Sequence, residues 1–211
     1  MRTSFGIALL VALFVVTSGA WAGNIPVVDP GFESPACASL GSVCAPVAGS
    51  WTVVNSAGQL WANPAQFGTP PEGLQVGFVN AGANDLQQVV GTLSANTTYV
   101  LSVFVGERTT GTSFGGIVDL FAGSTLLGSA SGAAPGAGGW ADWTLTVDSA
   151  SFASSVGQPL EIFLASSVSQ PGFDNVSLNA TSDNGAVPEP AMFVLVGVGL
   201  LGLVTRRRFA K

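Results

Sequence analysis

The chain has 211 residues, 47% hydrophobic and only 9% charged, with 28 glycines; average soluble domains carry roughly a quarter charged residues, and this length suits one domain with short appendages. Between Gly23 and Val187 lie eleven acids and one base, Arg108, a net charge of −10. Such a surface repels nucleic acid, whose phosphates require Lys and Arg, and it tolerates cations. The chain has no His, which removes the usual base of a nucleophile triad and the commonest transition-metal ligand. It also has no phosphate-cradling loop. Carboxylate pairs alone can run glycoside hydrolysis, which stands as a minor alternative. The expectation is a non-enzyme with no catalytic residues.

The first element is a signal peptide over residues 1–22. Arg2 supplies the positive start, "FGIALLVALFVV" from Phe5 to Val16 is almost wholly apolar, and Ala20, Trp21 and Ala22 form an A-x-A cleavage pattern. The alternative, a membrane anchor, needs a longer apolar run. Export suits the two cysteines: Cys37 and Cys44, in "CASLGSVC", are expected to close one small disulfide loop in an oxidising compartment. Two free thiols are the alternative. No second pair and no His exist to build a zinc site with them.

From Asn24 to Asn179 no long helical period occurs. Short Val-, Leu-, Phe- and Thr-rich runs recur between Gly, Pro, Asn and Ser: "SWTVVN", "GQLWA", "GLQVGFVN", "DLQQVV", "TYVLSVFVGE", "GIVDLFAG", "STLLGSAS", "ADWTLTVD", "PLEIFLAS" and "FDNVSLN". About ten strands at this spacing predict an all-β antiparallel sandwich or jelly roll. Alternation puts Tyr99, Leu101, Val103 and Val105 on one face, and Trp143, Leu145 and Val147 on one face of a later strand. Trp51, Tyr99 and Trp143 read as core. Trp61 in "LWANPAQ" and Trp140 in "GAGGWAD" sit among Gly, Pro and Asn, and are the candidate surface platforms for sugar stacking. Arg108 reads as an ion pair with Glu107 or another acid, with a ligand hydroxyl as the alternative.

In order, "VVDPGFESP", "PPEGLQVGFVN" with "LQQVV", "NTTYVLSVFVG", "GWADWTLTV" and "GFDNVSL" resemble galactose-binding-like carbohydrate-binding domains over most of Val27 to Leu178. Asp29-Pro30-Gly31 departs from the Asn-Gly that often opens them. The resemblance implies that the first and last strands are neighbours, bringing Glu33 near Asp174. It also implies a structural calcium held by the Gly31 carbonyl and the Glu33 and Asp174 side chains, hard oxygen ligands of the kind calcium takes. The alternative is that both acids are ordinary turn residues.

After a polar linker at 180–187 comes Pro188-Glu189-Pro190, then fourteen uncharged residues from Ala191 to Val204, then Arg206, Arg207 and Arg208. As a helix the apolar stretch spans ~21 Å, short of a ~30 Å hydrocarbon core, so the expected short transmembrane helix needs local thinning. The arginines stay inside by the positive-inside rule. This three-part ending resembles the PEP-CTERM sorting signal, which implies export, recognition by exosortase, and transient inner-membrane anchoring before removal of the tail. The expected layout is signal peptide 1–22, sandwich 23–179, linker 180–187 and sorting segment 188–211. The expected function is a cell-surface or matrix protein binding extracellular polysaccharide. A structural or adhesive spacer is the alternative.

Overall fold

The computed structural model describes residues 22–110 and 114–182. The signal peptide through Trp21, the linker from residue 183, and the sorting segment with Pro188, Glu189, Pro190, Arg206, Arg207 and Arg208 lie outside the described residues. So does the expected transmembrane helix; among the described residues no helix is long and apolar enough to cross a membrane.

The strands are β1 (Ala22–Ile25), β2 (Val43–Cys44), β3 (Thr52–Val54), β4 (Ala57–Trp61), β5 (Gln75–Val79), β6 (Asp85–Thr92), β7 (Thr97–Gly106), β8 (Gly116–Ala122), β9 (Thr125–Ser129), β10 (Trp140–Asp148), β11 (Pro159–Ser166) and β12 (Gly172–Ser182). A one-turn helix, α1 (Pro64–Phe67), and a 3-10 segment, Ser149–Ser155, are the helical pieces among the described residues. The larger sheet runs β10-β7-β12-β5-β4-β2, with β1 also paired to β12; the smaller runs β3-β6-β11-β8-β9. These pairings are antiparallel throughout. The all-β antiparallel sandwich read from the strand spacing is therefore the fold.

Alternation explains the core. Tyr99, Leu101, Val103 and Val105 of β7 and Trp143 and Val147 of β10 are buried from the large sheet. They meet Val118 and Leu120 of β8 and Leu160, Ile162 and Leu164 of β11 in one cluster. Tyr99 keeps its hydroxyl satisfied by accepting from Ser94 N at 2.8 Å. In β12 the alternation breaks. A register shift against β7 falls between Asp174 and Ser177, with Asn175 left-handed at φ 46°. Phe173 and Val176 are thus both buried, and inward facing continues at Leu178 and Ala180. Such a bulge re-aims the side chains beside it.

A smaller cluster of Leu60, Ala62, Phe67, Val76 and Phe78, with Trp140 against it, forms a second apolar layer on the large sheet. The segment from Ala62 to Glu72 supplies its cover. Asn63 caps α1 by accepting from Ala65 N at 2.9 Å, with Pro64 at the first helical position. Cys37 and Cys44 are disulfide-bonded.

Phe32 is fully buried and stacks on Trp51 at 5.0 Å between ring centroids. Its opposite neighbour is Gly77, where a Cβ would lie 2.6 Å from the Phe32 ring. Gly77→Ala should therefore lower the unfolding free energy by about 1–3 kcal/mol, the usual cost of overpacking, measured by urea denaturation. An unchanged midpoint would mean that the ring does not sit on that glycine.

Candidate functional site

The loop Asp29–Ser34 folds onto itself before reaching the sheet. Asp29 and Phe32 are left-handed, at φ 52° and 58°. The Asp29 carboxylate Oδ1 accepts from Glu33 N at 2.8 Å and Ser34 N at 3.1 Å, closing the loop on itself. Its carbonyl accepts from the Trp51 indole at 3.0 Å. Val176 N donates to the Pro30 carbonyl at 3.0 Å, docking the loop on β12 just past the bulge. The first and last segments are thus neighbours, as the resemblance implies, and β1 pairs with the distal half of β12.

The segment Glu72–Gln75 joins the two acids. Glu33 Oε1 accepts from Leu74 N and Gln75 N, each at 2.7 Å. Asp174 Oδ2 accepts from Glu72 N at 2.9 Å, and Oδ1 from Asn175 N at 2.8 Å. Asp174 is fully buried. Burial pushes its carboxyl up to about 7, backbone N–H donors oppose the shift, and the nearby Glu72 and Glu33 charges add to it. Asp29 is raised as well, chiefly by burial, with smaller contributions from the same two glutamates. Glu72 is exposed, and its carboxylate lies over Gly31, where a Cβ would sit 2.9 Å from Oε2.

Glu33 and Asp174 are therefore brought together, and Glu72 and Asp29 join them. The sequence signal for Glu72 was "PPEG", an acid held between Pro and Gly just before a strand. Among the described residues, no three acidic or thiol side chains form a ready-made metal cluster. The donors at hand are carboxylates and backbone carbonyls, and Asp29 Oδ2 is buried without a hydrogen-bond partner.

Trp61 is half-buried at the end of β4. With Glu33, Ala36, Leu74 and Gln75 it lines a cavity of about 50 Å³. Its main chain is fixed, N–H donating to Ser42 O at 3.1 Å and carbonyl accepting from Gly41 N at 2.9 Å. Trp140 is placed differently. Its indole donates to Phe67 O at 2.9 Å, and its ring lies where Cβ atoms on Gly106 and Gly172 would come within 2.8 and 2.9 Å. Trp140 thus spends a ring face and its N–H on packing.

The ion pair expected of Arg108 is not found among the described residues. Among the described residues its guanidinium meets no carboxylate; Nη1 donates to Gln170 Oε1 at 2.7 Å and the group lies 5.7 Å from the centre of the Phe67 ring. Gln170, reaching across from the turn before β12, takes the place an acid would have held.

Residues 23–179 match the family model described as HpiC1 cyclase, and the chain belongs to this HpiC1-like family. Residues 186–208 match the PEP-CTERM protein-sorting motif, which marks an exported, exosortase-sorted protein. Among solved structures, an apo-form cyclase from Fischerella sp. shares 24% identity at a TM-score of 0.63, covering 75% of this chain and 96% of its own. A cyclase from Fischerella sp. TAU shares 25% at 0.62, covering 76% and 98%. A Stig cyclase from the same source, in complex with (3Z)-3-(1-methyl-2-pyrrolidinylidene)-3H-indole, shares 24% at 0.60 with the same coverage. No curated protein matches the chain. The sandwich expected from the galactose-binding-like resemblance is present, while the family is that of cyclases.

The Asp174 carboxyl has a folded pKa of about 7 against an ordinary 3.8, so the folded protein holds this proton more tightly than the unfolded chain does. Its contribution to stability is fully present below about pH 4 and is lost as pH rises to about 7. Asp29, Asp85 and Glu161 are raised too, chiefly by burial, and act in the same direction. In metal-free buffer, unfolding free energy should fall between pH 4 and 7. Asp174→Asn, which cannot ionise, should remove most of that slope; a slope equal to that of the parent protein would assign it elsewhere.

Proposed function

We propose that this exported protein is a non-catalytic module that binds extracellular polysaccharide, with Trp61 as the stacking platform and one structural calcium. The observation carrying this reading is the half-buried Trp61 bordering a small cavity with Glu33 and Gln75. A ring beside a carboxylate and an amide offers an apolar surface to sugar C–H groups and polar partners to hydroxyls. Trp61 is preferred over Trp140 because the packing of Trp140 leaves less of its ring to a ligand. Gly31 O, Glu33 and Asp174 are the proposed calcium ligands, with Glu72 beside them. The all-oxygen donor set suits a hard cation, and a divalent ion would offset the repulsion among carboxylates that have no cation of their own nearby. Calcium here would fix the Asp29–Ser34 loop, and through Glu33 the floor of the Trp61 cavity.

Membership in the HpiC1-like family favours a second reading, a small-molecule cyclase. A cyclase from Fischerella sp. TAU has been solved in complex with 4-(1H-indol-3-yl)butan-2-one. Titrating the mature protein with neutral polysaccharides and, separately, with that indole ketone distinguishes the two. Polysaccharide binding that weakens roughly three- to tenfold in Trp61→Ala, the scale of one aromatic contact, supports the module. Saturable indole binding with no polysaccharide binding replaces it with the cyclase reading.

Calcium has its own test. Chelation should lower Tm by about 5 °C or more, the scale of a site filled at one hundred times its Kd. Glu33→Ala and Asp174→Ala should each erase the calcium-dependent part. Identical melting of verified metal-free protein with and without millimolar calcium would return both acids to turn residues.

A further inference from the structure

Arg108 is the single base among eleven acids between Gly23 and Val187. A lone cation in such a field would ordinarily be neutralised by one of them. Here its oriented partner is an amide. Gln170 gives its oxygen to the guanidinium, which has only donors, and that fixes the Gln170 amide nitrogen on the far side. The nitrogen donates to Asn80 Oδ1 at 2.7 Å, and Asn80 Nδ2 donates in turn to Ser56 Oγ at 2.6 Å. The relay Arg108–Gln170–Asn80–Ser56 crosses the end of the large sheet, from beyond β7, past β12 and β5, to the residue before β4. Every member is neutral except the one at its end.

The relay orients the guanidinium without cancelling its charge. Phe67 supports it from one side at cation–π distance, and Nε is buried with no acceptor among the described residues. Thr109, the next residue, pins the same turn by donating to Ala65 O. A cation held in place, half-buried and unneutralised, has the attributes of an oxyanion receptor, because a guanidinium recognises carboxylates through its planar donors. We propose that Arg108 binds the carboxylate of an acidic sugar unit, so that the protein prefers uronate-containing polysaccharide over its neutral counterpart. The inference rests on the polysaccharide reading for the identity of the ligand, but not for the existence of the anion site. Trp61 lies at the opposite end of β4 from Ser56, so the two contacts are separate. The net negative charge of the body is screened beyond about 8 Å at physiological salt, which leaves a local contact with Arg108 available.

The test uses the folded mature protein labelled with ¹⁵N-arginine, and methyl glucuronide, methyl glucoside and inorganic sulfate as probes. The Arg108 side-chain signal should shift saturably with the glucuronide, with at least about tenfold weaker response to the glucoside, as expected when a charge-assisted contact is lost. Sulfate binding as strong as that of the glucuronide would overturn the assignment to a carboxylate sugar. Arg108→Gln should abolish glucuronide binding. Gln170→Glu keeps an oxygen acceptor facing Arg108 but neutralises it from within, and should also cost at least about tenfold. Unaltered affinity in Gln170→Glu, or no shift of the parent signal with glucuronide, overturns the proposal. Neutral polysaccharide binding without the glucuronide shift would refute this site alone; the shift without neutral polysaccharide binding would support this site and refute the Trp61 platform.

Discussion

The site depends on one strained residue, Phe32. Holding a bulky residue at φ 58° costs about 1–2 kcal/mol. The fully buried ring, lying on Gly77 and stacked on Trp51, returns about 2–3 kcal/mol. The carbonyl left behind by the turn accepts from Gln59 Nε2 at 2.9 Å and Gln75 Nε2 at 2.8 Å. Both glutamines are buried, on adjacent strands β4 and β5, and buried amides need such partners. Lifting Phe32 out would therefore empty a core position and take one acceptor from each buried amide, leaving both to the Pro35 carbonyl. Asp29 before it and Glu33 after it are held where they are because Phe32 is seated.

Electrostatics then takes two forms at the two ends of β4 and β5. At the loop end, negative charge is gathered and stabilised by backbone N–H groups: two on Asp29, two on Glu33 and two on Asp174. On Asp29 and Asp174 these bonds lower the cost of ionisation but do not eliminate it, since burial raises both and pushes Asp174 up to about 7. At the opposite end the scarce positive charge is oriented by neutral amides. Desolvation works against a charge at both ends, and the protein compensates with dipoles in place of a counter-ion.

Strand content was legible because this domain follows the period-2 rule closely. In "TYVLSVFVGE" every inward position is apolar, and the strand boundaries follow from the flanking Asn, Gly and Ser. What escaped was set by the main chain or by contacts distant in sequence. β1 has no alternating side chains to read and exists because β12 extends far enough to pair with it. β2 is two residues long. The bulge in β12 depends on a left-handed Asn175, which "FDNVSLN" does not reveal; simple alternation there would put Phe173, Asn175 and Ser177 on one face. The same bulge helps hold Asp174 beneath Glu72, so the proximity of Glu33 to Asp174 came from segment order and not from periodicity. Arg108 was misread because charge arithmetic favours an acid partner, whereas Gln170 lies 62 positions away and only the fold brings it close.

Membership in a cyclase family fixes the scaffold, but access depends on what covers the large sheet. In this chain the cover is specific. Phe67 is fully buried over Gly172, and Trp140 lies over Gly172 and Gly106, with its N–H tied back to the helix-bearing segment. Two glycines without Cβ atoms let the rings lie against the backbone, so the end of that face where β7, β10 and β12 meet is filled by the protein itself. Side chains with spare surface or spare charge stand toward the two ends of β4. Trp61 stands at one and Arg108 at the other, joined through Ala62–Phe67. Under the proposed polysaccharide reading, an extended ligand would touch both points.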